Sequence, residues 1–206
     1  MVKRGIEERA MAVLDILKFP DPGLRRKCSP VKKVTEDMVQ LAEDMLETMY
    51  ASHGIGLSAI QVNRFVRLLT ADTRGLYEGG NERYQADTQP GQYESSVNQP
   101  LVLFNPTILS RSGEILFKEG CLSFPSYYAE VKRSKVIEVK GWDKLGKLCQ
   151  IKTDGVLAIC IQHEIDHLDG KLFIDHLSPI KADRLRAQIK KYGYPTPESP
   201  TPEKML

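Results

Sequence analysis

The chain has 206 residues, 41% apolar and 27% charged, enough to bury a core of its own and far from the composition of a disordered segment. Its 29 basic and 27 acidic side chains leave a formal charge of +2, too even for the whole surface to serve as a DNA- or membrane-binding face. Cys28, Cys121, Cys149 and Cys160 show no CxxC spacing, which argues against a disulfide framework and a four-thiolate zinc module.

The first residues have a basic start, but acidic residues interrupt the apolar stretch and no small-residue cleavage site follows, so they do not read as a signal peptide. No run of about 18 apolar residues occurs, so no membrane span and a cytoplasmic location are expected. Residues 35–49 place Met38, Leu41, Ala42, Met45, Leu46 and Met49 at helical spacing behind Thr35 as N-cap, with the methionines read as core filling. A glycine-bearing loop at 53–61 leads into a strand at 64–72. The Gly-, Gln-, Asn- and Ser-rich stretch 72–100 reads as a surface insertion.

Short strands are expected at 101–104, 114–117, 131–139 and 149–152, spaced for a mostly antiparallel sheet. Asp154 can cap a helix through GVLAICIQHEIDHLDG, apolar enough to be buried on most sides. Ser178 followed by Pro179 starts a closing helix to about residue 192, and the four prolines after it make 193–206 an extended, mobile tail. The expectation is one α+β domain over 1–192: mostly antiparallel sheets packed around a central helix, with an N-terminal and a C-terminal helix.

That central helix carries His163-Glu164-Ile165-Asp166-His167, an HExxH sequence. Residues four apart share a helix face, so both imidazoles can reach one metal ion, and Glu164 can reach a water at that ion. A catalytic metal takes a third protein ligand. The metzincin continuation fails because Phe173 stands where the third histidine would be, and no glutamate lies between His167 and Glu198 to serve as in thermolysin. Asp169, Asp175, His176 and Asp183 remain formally open. Upstream, Cys121 follows a glycine between strand-like segments, where a thiolate could project toward the helix.

The segments GIGLSAIQ (54–61), EGCLS (119–123) and QHEIDHLDG (162–170) resemble, in order and separation, the three signature motifs of peptide deformylases. The resemblance runs from about residue 18 to residue 178. It implies that Cys121, His163 and His167 hold the metal and that Glu164 is the general acid/base. It further implies that Gln61 and the Leu122 backbone N–H donate to the formyl oxygen. Gly54, Ile55 and Gly56 would bind substrate, with Gly56 against its backbone, and Cys160 would line the pocket for the methionine side chain. One divalent ion per chain is implied, Fe(II) in cells and Zn(II) or Ni(II) as alternatives in purified protein. N-formyl-methionyl nascent peptides are the implied substrates, with formate and a free N-terminal methionine as products.

The family usually has alanine where Ser58 stands and often proline where Ile60 stands; these departures bear on pocket shape, since neither side chain is expected to carry the chemistry. Asp166 is a candidate to orient a ligand imidazole. Lys181, Arg184, Arg186, Lys190 and Lys191 against Asp183 give the closing helix a net charge of +4, suited to a transient ribosome contact. A purely structural metal site would want a fourth ligand and would not need Glu164 or Gln61.

Overall fold

The computed structural model describes residues 11–77 and 90–195. Helix α1 (Glu36–Ala51) follows the expected periodicity, with Ala42, Met45 and Met49 buried. Thr35 stands at its N-cap without a side-chain hydrogen bond, and Glu36 and Asp37 place negative charge in the first turn instead. Strand β1 (Gly56–Ser58) lies inside the segment expected to be a loop, and β2 is confined to Leu68–Ala71.

The remaining strands are β3 (Leu101–Ser112), β4 (Ile115–Gly120), β5 (Tyr128–Arg133), β6 (Val136–Trp142) and β7 (Leu148–Thr153). Five of them form an antiparallel sheet in the order β1-β2-β3-β6-β7, and β4 pairs with β5 in a separate two-stranded sheet. Successive side chains on a strand face opposite ways, and β2 shows what that requires at the centre of a layered fold. Its Leu69 and Ala71 enter the cluster shared with the helix α2 (Gly155–Leu168), while Leu68 enters the cluster shared with α1. The main sheet is thus covered by α1 on one face and α2 on the other.

The strand expected over 131–139 is two strands in two different sheets. At Ser134 the backbone N–H donates to Gln162 Oε1 at 3.1 Å and the carbonyl accepts from Gln162 Nε2 at 2.9 Å, so a side chain of α2 satisfies the groups that would have continued the ladder. The strand expected at 101–104 instead runs to Ser112, with register shifts after Phe104 and Ile108.

Residues 78–89, the middle of the expected surface insertion, lie outside the described residues. Its two ends carry exposed residues such as Arg74, Ser95 and Ser96 but are tied in by buried ones: Thr73, Glu94 and Gln99 are buried, and Gln99 Oε1 accepts the Thr73 N–H at 2.8 Å. Residues 1–10 and 196–206 are likewise outside the described residues. Tyr194, at the start of the expected tail, is anchored by its hydroxyl, which donates to the Phe19 carbonyl at 2.6 Å. Among the described residues no helix is long and apolar enough to cross a membrane.

Helix α2 is buried along nearly its whole length. Asp154 holds the N-cap position but does not cap the helix with its side chain, contrary to expectation; its Oδ1 is engaged by Tyr93 and Glu94. At the other end the Gly170 N–H donates to His167 O at 2.9 Å and the Lys171 N–H to Asp166 O at 2.8 Å, with Gly170 at φ +74°. That pattern closes a helix with a left-handed residue, which glycine adopts without strain. Helix α3 (Pro179–Tyr192) buries Ala182, Leu185 and Ile189 and leaves its basic side chains exposed.

A Cβ at Gly170 would also stand 2.5 Å from the Arg25 carbonyl oxygen. Gly170→Ala is therefore expected to cost about 1–2 kcal/mol from the left-handed backbone alone, with the contact adding to it, and to lower Tm in a thermal melt. An unchanged Tm would contradict this account of how α2 ends.

Candidate metal centre and cleft

His163 and His167 project from one face of α2, one turn apart, and Cys121 comes from the turn just after β4. Their donor atoms lie within 4.8 Å of one another. Cys121 Sγ is 3.2 Å from His167 Nε2, which is 3.2 Å from His163 Nε2. An ion about 2.0–2.1 Å from each nitrogen in tetrahedral geometry would set the two nitrogens about 3.4 Å apart, so the three donors fit a divalent cation. One thiolate and two imidazoles suit zinc and ferrous iron.

His163 Nδ1 donates to Glu119 Oε2 at 2.8 Å, which leaves Nε2 for the ion. Arg133 Nε donates to Glu119 Oε1 at 2.6 Å and its Nη2 to Oε2 at 3.0 Å, while its Nη1 donates to Asp166. Asp166 also bonds His176. The carboxylate bonded to the His163 imidazole is thus Glu119, and the expected role of Asp166 is corrected: it bonds Arg133, a step removed from the His163 imidazole. Sequence reasoning missed Glu119 and Arg133. The signal was present for the first, because Glu119 precedes Cys121 by two residues at the end of a strand, the spacing that turns both side chains to one side.

Burial alone would raise the Glu119 carboxyl, but His163 and Arg133 outweigh it and bring it down to about 2 from 4.5. Glu164, also buried, is pushed up to about 7, mainly by desolvation, partly offset by His163 and the Ser58 hydroxyl. Its Oε2 has no hydrogen-bond partner among the described residues. Burial and the neighbouring His163 hold His167 well below the usual histidine range, the neutral form that a ligand needs.

Every expected site residue except His167 lines one cleft of about 550 Å³. Cβ atoms at Gly54 and Gly56 would meet Leu122 at 2.7 Å and Cys160 at 2.5 Å, so side chains there would fill the cleft. Cys160 is buried and its thiol donates to the Ile55 carbonyl at 3.3 Å. Gln61 Oε1 accepts the Ser58 N–H and hydroxyl, both at 2.8 Å, and its Nε2 lies 3.2 Å from Ser123 Oγ and 3.6 Å from Cys121 Sγ. Ser58 was expected to affect only pocket shape; its hydroxyl instead holds the Gln61 amide. Tyr127 and Tyr128 stand at the same cleft.

An α+β fold with a thiolate and two imidazoles converging beside a buried carboxylate, at the base of a cleft, defines a metallohydrolase-type protein. The polypeptide deformylase family model matches residues 13–183. The peptide deformylase of Alkalilimnicola ehrlichii is 44% identical over 181 residues, 88% of this chain and 91% of that one. That of Tolumonas auensis is 43% identical over 181 residues, 88% and 96% of the two chains. A crystal structure of peptide deformylase from Ehrlichia chaffeensis in complex with actinonin superposes with a TM-score of 0.76 at 37% identity, covering 88% of this chain and 98% of that one. The chain belongs to the polypeptide deformylase family, hydrolases of protein biosynthesis that depend on a divalent metal.

Two results are expected of Glu119→Gln. Metal affinity falls about 10- to 100-fold, read by competition with a chelator. The acid profile of the metal-free protein flattens as well. A carboxyl depressed from 4.5 to about 2 contributes stability that is full above about 4.5 and lost as pH falls toward about 2. The wild type should therefore lose stability on acidification more steeply than the variant; parallel profiles would contradict the assigned bonds.

Proposed function

We propose that the cleft binds an N-formyl-methionyl peptide and that Cys121, His163, Glu164, His167, Gln61 and Leu122 hydrolyse its formyl amide, releasing formate and a free N-terminal methionine. The observation that carries this reading is the buried Glu164 carboxylate, with one oxygen unpartnered, next to three converging metal donors.

A divalent ion held by Cys121, His163 and His167 supplies Lewis acidity, polarising the carbonyl and lowering the pKa of a water toward about 7. Glu164 accepts the proton of the attacking water and returns it to the departing amide nitrogen. Its upward-shifted carboxyl suits both halves of that exchange near neutral pH. The Gln61 Nε2 and the Leu122 N–H donate to the formyl oxygen as it gains charge. Ser58 fixes the orientation of the Gln61 amide by occupying its oxygen. The Leu122 N–H has no acceptor among the described residues, which leaves it available for that task. Cys160, Val156 and Ile159 give the methionine side chain an apolar wall.

The donor set suits Fe(II) as the ion in cells, with Zn(II) or Ni(II) as substitutes, and a thiolate beside ferrous iron calls for a reducing compartment such as the cytoplasm. Helix α3 presents exposed Lys181, Arg184, Lys190 and Lys191 opposite its buried face, a surface that supports transient contact with the phosphates of the ribosome.

The test is formate release from a formyl-methionyl tripeptide by anaerobically purified protein. Glu164→Ala is expected to keep its metal and lose at least about 100-fold in kcat, and Gln61→Leu about 100- to 1,000-fold. A metal-loaded Glu164→Ala as active as the wild type would contradict the assignment.

A further inference from the structure

Around the N-terminus of α2, two acidic side chains exchange places. Asp154, at the N-cap, accepts the backbone N–H groups of Tyr93 and Glu94, both at 3.0 Å. Glu94 in turn lies over the first turn of α2, its Oε2 2.0 Å from where a Cβ on Gly155 would stand. Gly155, at φ +60°, is therefore the residue that admits the carboxylate.

Glu94 is 1% exposed and has no ion-pair partner among the described residues. Burying a carboxylate in that way is costly unless donors compensate. Its Oε1 accepts the hydroxyls of Thr73 at 2.5 Å and Tyr77 at 3.0 Å, and its Oε2 accepts the Gly91 N–H at 3.3 Å. The positive end of the α2 dipole favours negative charge at the same place. None of these groups has a part in the chemistry above.

The residue after Gly155 is Val156. Val156, Ile159, Cys160 and His163 follow at helical spacing and all line the cleft. The HExxH turns of the helix are tied to the β4–β5 sheet through the His163–Glu119 bond, so a shift confined to the first turn moves Val156 and Ile159 relative to Glu164, and the seat of that turn sets where they stand.

We propose that Glu94 is a positioning residue for side-chain selectivity: by seating the first turn of α2 through Gly155, it fixes the Val156–Ile159 wall against which the substrate methionine packs. This rests on the reading of the cleft as a formyl-methionyl site. It gives Glu94 and the described residues that hold it, Thr73, Tyr77 and Gly91, a part in specificity.

The experiment compares wild type, Glu94→Gln and Tyr77→Phe as full-length, metal-loaded proteins on formyl-Met-Ala-Ser and formyl-Ala-Ala-Ser. Metal content, Tm and equilibrium affinity for the product peptide Met-Ala-Ser are measured alongside. Glu94→Gln keeps the shape but sets an NH2 group either against the Gly91 N–H or against the Thr73 and Tyr77 hydroxyls. It is expected to raise KM for the methionyl peptide about tenfold and weaken Met-Ala-Ser binding to match. The expected kcat stays within about twofold. The alanyl peptide and the metal content are expected to be unaffected, so discrimination between the two peptides falls. Tyr77→Phe removes one donor to Glu94 together with a hydroxyl that accepts the Val156 N–H in the first turn of α2, and shifts KM in the same direction. A lowered Tm with KM and discrimination unchanged overturns the proposal, as does an equal loss on both peptides. A metal-loaded wild type that cleaves neither peptide removes the deformylase reading itself, and this inference with it.

Discussion

Glu119 is a carboxylate sealed from water that bonds in two directions at once, to Arg133 on the neighbouring strand and to His163 on α2. An isolated buried charge would cost several kcal/mol, so each partner is needed by the other two. The arrangement ties the small β4–β5 sheet to the central helix and leaves the thiolate two residues further on facing both imidazoles. The metal centre is thus assembled from two elements far apart in the chain, and its geometry depends on this one bonded carboxylate more than on any local turn. Asp166 completes the set by taking the remaining arm of Arg133.

The same helix organises the cleft. Its apolar side chains Leu157, Ala158, Ile161 and Ile165 pack on the main sheet, its histidines and Glu164 turn to the candidate metal site, and Val156, Ile159 and Cys160 line the cleft. Few solvated positions remain, which is why its sequence reads as apolar around the whole circumference until the HExxH turns. Burial that secures the fold also raises the Glu164 carboxyl to about 7, so packing and the proposed proton transfer would share one cause.

What could be read from the sequence was what repeats locally. The 3.6-residue spacing of Met38 to Met49 and the Ser-Pro start at Ser178 gave their helices to within a turn, and the HExxH spacing placed two imidazoles on one face. Features fixed by distant partners were not legible. The break between β5 and β6 has no glycine or proline to announce it, because it is made by Gln162, 28 residues away. Asp154 looked like a helix cap, yet it serves the backbone of Tyr93 and Glu94 some 60 positions earlier. The polar composition of 72–100 suggested a surface loop but gave no sign of the buried bonds by which Thr73, Tyr77, Glu94 and Gln99 tie its ends together. In the site, Asp166 drew attention by lying inside the motif, whereas the bond to His163 came from a strand.

The central claim, that one cation held by Cys121, His163 and His167 works beside Glu164, is tested most directly by stripping the anaerobically purified protein with a chelator and titrating Fe(II) back while formate release is followed. The account predicts activity that vanishes with the metal and returns linearly to a break at about one equivalent per chain, with Cys121→Ala failing to recover. Full activity in the metal-free protein, or a filled site with no formate released, would contradict it.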